Sequence, residues 1–206
     1  MRWCKLISIL LHPLVMPTLG FLLYLLYVPN TISYQQKGVV LIIIIIATYV
    51  IPFLLLTLLK ALGFIKSFKV ETIKERKIPL FFMIVLFFVL GKIFYTTPNF
   101  RFLGYLFYGT DLGLLLIYIF YFFNIKVSFH LLSIGSAIGF FLILSYWVSF
   151  SVLPIVIVLI GLAGLLASAR LNLKAHTPKE VYLGFFLGLS CQFIMYYLLT
   201  NQLLFI

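Results

Sequence analysis

The chain has 206 residues, of which 65% are hydrophobic and 9% are charged, and its formal net charge is +11. A soluble domain is about half apolar and about a quarter charged. This composition excludes a water-soluble globular domain. We expect membrane lipids to surround the chain and no nucleic acid to be a partner.

Long stretches without a charged residue predict helices that span a membrane. No charge occurs over residues 7–36 or 127–169, and the second stretch is long enough for two spans of about 20 residues each. Strict alternation of apolar and polar residues, which a membrane barrel needs, is absent. The predicted fold is therefore an all-α polytopic transmembrane helical bundle, a single domain over residues 1–206. In chain order the predicted spans lie near 6–28, 38–62, 79–97, 101–123, 131–148, 152–168 and 181–200.

The count of spans is six or seven. The first segment contains Pro13 and Pro17, and proline inside a helix removes a hydrogen bond and bends it. This segment is therefore either a bent span or an incomplete one. The sixth, 152–168, follows a very short turn and is the other marginal span.

Basic residues collect on one predicted face of the bundle. With seven spans, segments 63–78, 124–130 and 169–180 emerge on the same side as the amino terminus, and twelve of the fifteen Lys and Arg residues lie there. The positive-inside rule would make this face cytoplasmic. Because a phosphate site also needs cations, the orientation stays open. A bacterial inner membrane is the expected location.

The segment before the last span carries the densest set of chemical groups. Arg170 precedes His176 by six positions, and Glu180 follows it by four. Thr177 and Pro178, with Glu180 three residues after the threonine, predict a capping box and a helix start. A phosphate near His176 would face the positive end of that helix. A carboxylate beside histidine can orient it as a nucleophile; alternatively, Glu180 only caps the helix and the histidine is interfacial.

Two earlier segments hold further candidates. Lys69 and Arg76 are seven residues apart, so on a helix they lie two turns apart on one face and could clamp a phosphate. Contact with anionic headgroups is the alternative for that pair. Ser128 and His130 stand at the mouth of the fifth predicted span, where a simple cap with an interfacial histidine is the alternative.

Taken in order, these three segments resemble the signature of the type 2 phosphatidic acid phosphatase (PAP2) superfamily. The family pattern is Lys-x6-Arg-Pro, then Pro-Ser-Gly-His, then Ser-Arg-x5-His-x3-Asp. The resemblance covers about residues 63–190, including the small-residue face formed by Gly184 and Gly188. The chain departs from the family pattern at five positions. These are Lys77, Val127, Phe129, Ala169 and Glu180, which replace Pro, Pro, Gly, Ser and Asp.

The resemblance implies a PAP2-like helical core and a phosphatase mechanism. By that likeness His176 attacks phosphorus and forms a phosphohistidine, Glu180 orients it, and His130 protonates the leaving oxygen. The remaining matched residues would hold the phosphoryl oxygens. They are Lys69, Arg76, Ser128 and Arg170. No metal and no cofactor are expected.

The expected substrate is a lipid phosphate or a polyprenyl diphosphate. Two alternatives remain, an inactive PAP2-like protein that binds or transports a lipid phosphate and a phosphotransferase that uses the same histidine. A side chain of Phe129 that points into the pocket and separates the two histidines would favour binding without turnover.

The sequence also predicts structural roles for three other sets of residues. Asp111, an ionisable group inside a span, is expected to pair with Lys92 on the preceding helix, and contact with the substrate is the alternative. His12 is expected to be a hydrogen-bonded packing residue. Cys4 and Cys191 lie at opposite ends of the chain, so the sequence predicts neither a disulfide framework nor a metal site.

Overall fold

The protein is all-helical in the computed structural model, which describes residues 2–27, 32–68, 70, 72–148 and 151–201. No strand occurs in these residues. The helices are α1 (Arg2–Leu10), α2 (Met16–Tyr27), α3 (Tyr34–Ala61, with a π-helical turn at Ile46–Val50), α4 (Ile73–Thr96), α5 (Arg101–Phe120), α6 (Phe129–Leu144), α7 (Leu153–Asn172) and α8 (Pro178–Thr200). Within the described residues, five helices are long and apolar enough to span a membrane. They are α3, α4, α5 with the short turns that flank it, α7 and α8.

The first predicted span, 6–28, is two helices rather than one. α1 ends at Leu10 and α2 begins at Met16. Pro13, which lies in this break, cannot donate a backbone hydrogen bond and so does not continue α1. α2 contains an apolar stretch at Met16–Leu26 that is shorter than a full span, and α6 is also shorter. Large apolar side chains of α1, including Trp3 and Ile9, are exposed, as expected for a helix that lies against lipid.

Caps explain why several helices begin earlier than the apolar residues suggest. Thr72 and Glu75 form a reciprocal capping box, so α4 begins at Ile73. At α8 the cap is only half formed. Thr177 accepts a hydrogen bond from the Glu180 backbone N–H at 3.4 Å, while the Glu180 carboxylate turns to His176 instead.

α6 is the central helix, and it packs most extensively on α8. Most of its residues are buried. On α8, Gly184 and Gly188 face the backbone of α6 so closely that a Cβ at Gly188 would collide with the Leu132 carbonyl group. This close approach, typical of small residues between membrane helices, holds together the two helices that begin nearest the candidate site.

The predicted pair of Asp111 with Lys92 is not formed. Asp111 is buried on α5, whereas Lys92 on α4 is exposed. The Oδ1 atom of Asp111 has no hydrogen-bond partner in the described part of the chain. The two side chains are kept apart by the rotation of each helix about its own axis. That two helices follow one another in the sequence does not determine this rotation.

Candidate functional site

A cavity of about 340 Å³ opens at the end of the bundle where α4, α6 and α8 begin and α7 ends. Apolar side chains form most of its wall, among them Leu55, Met83, Phe107 and Phe141. Five histidine and arginine side chains among the described residues line it as well. They are His12, Arg76, His130, Arg170 and His176. The cavity thus joins a cationic and imidazole-rich part to a long apolar wall.

His176 and Glu180 form the shortest polar contact of the site. The Nδ1 atom of His176 lies 2.6 Å from Oε2 of Glu180, and the His176 side chain is only 4% exposed. A carboxylate can only accept, so Nδ1 carries the proton and Nε2 keeps its lone pair when the ring is neutral. Burial lowers the pKa of His176 below its usual value, the hydrogen bond to Glu180 opposes this, and the positive charge of Arg170 adds to the lowering.

Two arginines reach the cavity from different helices. Arg76, in the first turn of α4, donates from Nε to the Val70 carbonyl oxygen at 2.7 Å. Arg170, in the last turn of α7, donates from Nη1 to the Ser8 hydroxyl at 2.7 Å. Its buried Nε has no hydrogen-bond partner among the described residues. Neither arginine has an ion-pair partner among the residues that the structure describes. Their positive charge therefore favours an anion in the cavity.

His130, in the first turn of α6, is held by the amino-terminal helix. Its Nε2 lies 3.1 Å from the Ser8 carbonyl oxygen and 3.3 Å from the Ser8 hydroxyl. Because the carbonyl oxygen can only accept, Nε2 is the protonated nitrogen, and Nδ1 is left for a ligand. The His12 ring lies edge-on to the His130 ring, with 5.2 Å between centroids. Phe129 lines the same cavity.

Four of the seven predicted residues lie together in the cavity wall. A fifth, Glu180, forms a hydrogen bond with one of them, His176. Ser128 does not join them. Its side chain is 0% exposed, its hydroxyl makes no cap for α6, and its backbone N–H donates to the Glu180 carbonyl oxygen at 3.2 Å. It therefore lies behind the cavity, between α6 and α8. Lys69 lies outside the described residues.

Ser8 and His12 belong to the site although the sequence predicts no role of this kind for either. Ser8 contacts residues 122 and 162 positions away, separations that no local pattern reveals. One signal was present at His12, since a histidine directly before proline in an apolar run marks a break with an exposed polar group. The structure places that break at the cavity.

No cluster of three or more His, Cys, Asp or Glu residues that could hold a metal ion occurs in the described ranges. The arginine and imidazole nitrogens of the cavity wall suit a phosphate or a carboxylate. Comparison of the chain with protein-family models, with curated proteins and with solved structures found no match.

Proposed function

We propose that this protein is a membrane phosphatase that hydrolyses a lipid phosphate or diphosphate through a phosphohistidine on His176. One observation carries the proposal. Two arginines that have no ion-pair partner among the described residues meet a hydrogen-bonded histidine and carboxylate at one end of a largely apolar cavity. A substrate with a phosphate head and an apolar tail matches both parts of that cavity.

His176 is the proposed nucleophile. With its Nδ1 proton held by Glu180, the Nε2 lone pair is free to attack phosphorus. A bond forms between Nε2 and phosphorus while the bond from phosphorus to the leaving oxygen breaks. Glu180 stabilises the positive imidazole ring of the intermediate, as a buried carboxylate does for a catalytic histidine. Water then attacks the phosphohistidine, releases phosphate and restores the neutral ring.

His130 is the proposed acid for the leaving oxygen. Its Nε2 proton is held by the Ser8 carbonyl, so the proton that is transferred comes from Nδ1 of the imidazolium form. The same ring then accepts a proton from the attacking water. This assignment rests on the resemblance to the phosphatase superfamily, and the place of His130 in the cavity wall supports it.

Arg76 and Arg170 are the residues proposed to bind the phosphoryl oxygens. Their guanidinium groups offer donors in a planar fork that matches phosphate geometry, and they neutralise charge as the bond to the leaving group breaks. The amino-terminal end of α8, which begins directly after His176, adds a positive helix dipole. Lys69 and Ser128 enter this proposal through the resemblance alone.

We further propose that α2 and α6 also cross the membrane, which gives seven spans with a PAP2-like core over about residues 63–190. Successive helices from α2 to α8 then cross the membrane in opposite directions. This places four parts of the chain on one face, namely the start of α2, the segment between α3 and α4, the start of α6 and the start of α8. The histidines and arginines of the cavity lie at or beside these four places. The proposed location is a bacterial inner membrane.

The test is phosphate release by detergent-purified protein from a panel of lipid phosphates and polyprenyl diphosphates. We expect release by the unmodified protein, none by His176→Ala, and full activity in Lys92→Gln, a control at an exposed residue outside the cavity wall. Acid-labile phosphate bound to the protein during turnover would identify the intermediate. Release that survives His176→Ala contradicts the proposal.

A second function, binding or transport of a lipid phosphate without turnover, is favoured by one observation. Phe129 lines the cavity at a position where the phosphatase pattern has glycine, whose backbone can approach phosphate closely. Saturable binding of the panel lipids by folded protein, with no phosphate release from any of them, would establish this function. Phe129→Gly would then be the variant in which to seek release.

A further inference from the structure

His12 occupies the break between α1 and α2, and the backbone of this break determines its protonation. The Leu14 backbone N–H donates to Nδ1 of His12 at 3.3 Å. The His12 carbonyl oxygen accepts from the backbone N–H of Val15 at 2.8 Å. The side chain and the main chain of His12 thus both contribute to the turn that ends α1 and begins α2.

The hydrogen bond from Leu14 allows one form of the ring. Since Nδ1 accepts a proton from a backbone N–H, Nδ1 carries no proton of its own, and the neutral ring has its proton on Nε2. An imidazolium would set two N–H groups against each other at Nδ1. His12 lines the cavity, and its ring stands edge-on to the ring of His130. A neutral donor therefore lies among the cationic groups of the site.

We propose that His12 is a further substrate-binding residue, which donates a hydrogen bond from its neutral Nε2 to an oxygen of the bound phosphate group. The inference rests on the proposed function for its ligand class and assigns a role to a segment outside the three phosphatase-like motifs. Arg76, Arg170 and the positive end of α8 already supply charge. A neutral donor completes the contacts of the phosphate without adding a further cation to a half-buried site.

The probe is inorganic phosphate, which needs no turnover. The chain has three histidines, so protein labelled with 15N at histidine gives three pairs of ring nitrogen signals, which single variants assign. In long-range proton–nitrogen spectra of the detergent-purified protein, we expect His12 to show a protonated Nε2 and an unprotonated Nδ1. Phosphate should shift the Nε2 signal of His12 together with the ring signals of His176.

Two matched variants separate ligand contact from a role in the turn. The amide oxygen of His12→Asn takes the place of Nδ1 and can accept from Leu14, but the donor at Nε2 is lost. The amide nitrogen of His12→Gln reaches the place of Nε2 and restores the donor. A hydrogen bond to a charged partner corresponds to a change of tenfold or more in affinity, on the order of 1.5–3 kcal/mol. We expect His12→Asn to weaken phosphate binding by about that factor and His12→Gln to stay within about threefold of the unmodified protein.

Equal phosphate affinity in His12→Asn and the unmodified protein would overturn the proposal, as would a proton on Nδ1 of His12. A phosphate-dependent shift at His176 without one at His12 overturns this inference and leaves the phosphatase proposal intact. Phosphate that shifts none of the three histidines contradicts both. If His12→Asn proves too unstable to titrate, the response of the His12 signal in the unmodified protein decides alone.

Discussion

Replacement of Glu180 by glutamine tests whether the short contact to His176 serves catalysis. The two side chains meet at 2.6 Å with His176 buried, which is the geometry of a charge-assisted hydrogen bond. Glutamine keeps the size of the side chain and an acceptor oxygen but removes the charge. Hydrogen bonds to charged groups contribute about 1.5–3 kcal/mol and neutral ones about 0.5–1.5 kcal/mol. The difference of about 1–1.5 kcal/mol predicts a fall in kcat of roughly tenfold.

The same substitution changes the pH dependence in a defined direction. The neutral ring of His176 is the nucleophile, so the rate falls as the pH drops through the pKa of His176. Burial and Arg170 lower this pKa, whereas the hydrogen bond and charge of Glu180 raise it. Glutamine removes the Coulombic part of this raising effect, whereas the lowering effects of burial and Arg170 remain. The acidic limb of kcat/KM in Glu180→Gln should therefore move to lower pH.

The assay is phosphate release between about pH 4 and pH 9, with the best substrate of the panel, for the unmodified protein, Glu180→Gln and Glu180→Asp. Aspartate keeps the negative charge but is one methylene shorter, so Glu180→Asp shows the effect of side-chain length without a change of charge. Thermal unfolding in detergent checks that all three proteins are folded. An acidic limb that moves to higher pH, or full activity in Glu180→Gln, would refute the role that we assign to this pair.

Three further outcomes are expected. Gly188→Ala should lower the free energy of unfolding by about 1–3 kcal/mol, because the added Cβ meets the α6 backbone. Gly164→Ala is the control and should leave the Tm unchanged, since nothing lies within 4 Å of a Cβ at that position. Equal Tm values for the two variants would contradict the close packing. Asp111→Asn should keep phosphate release and should not lower the Tm, since the Asp111 carboxylate is buried and has no ion-pair partner among the described residues. A clear loss of activity would show that this carboxylate takes part. Ser8→Ala should raise KM several-fold with little change in kcat, because Arg170 loses its 2.7 Å contact; an unchanged KM would separate Ser8 from phosphate binding.

Much of the helical architecture could be predicted from the sequence because charge-free stretches leave few alternatives in lipid. All-helical folding and the positions of the longest spans follow from this rule. The starts of helices were predicted less well. α4 begins six residues before its predicted start, at the Thr72 cap, because polar capping residues precede the apolar run on which the prediction relied.

Residues of the site that are close in sequence could be predicted, and those that meet across the fold could not. The spacing of Arg170, His176 and Glu180 anticipates their convergence, since one turn and one helix start connect them. Ser8 and His12 depend on how α1 packs against α7, which local patterns do not encode. The pairing of Asp111 with Lys92 failed for a related reason, because helix rotation in the assembled bundle decides which side chains face each other.

The contact between Ser8 and Arg170 has a consequence for biosynthesis. The two residues are 162 positions apart, and at about 5–20 residues per second the ribosome needs roughly ten to thirty seconds to travel between them. Until α7 has been inserted, neither Arg170 nor its contact to the first helix exists. At that stage His130 can meet His12 and Arg76, but Arg170 and His176 are still missing from the cavity. The nascent chain therefore passes through the membrane insertion machinery without a complete anion pocket, and the pocket forms only when early and late helices come together.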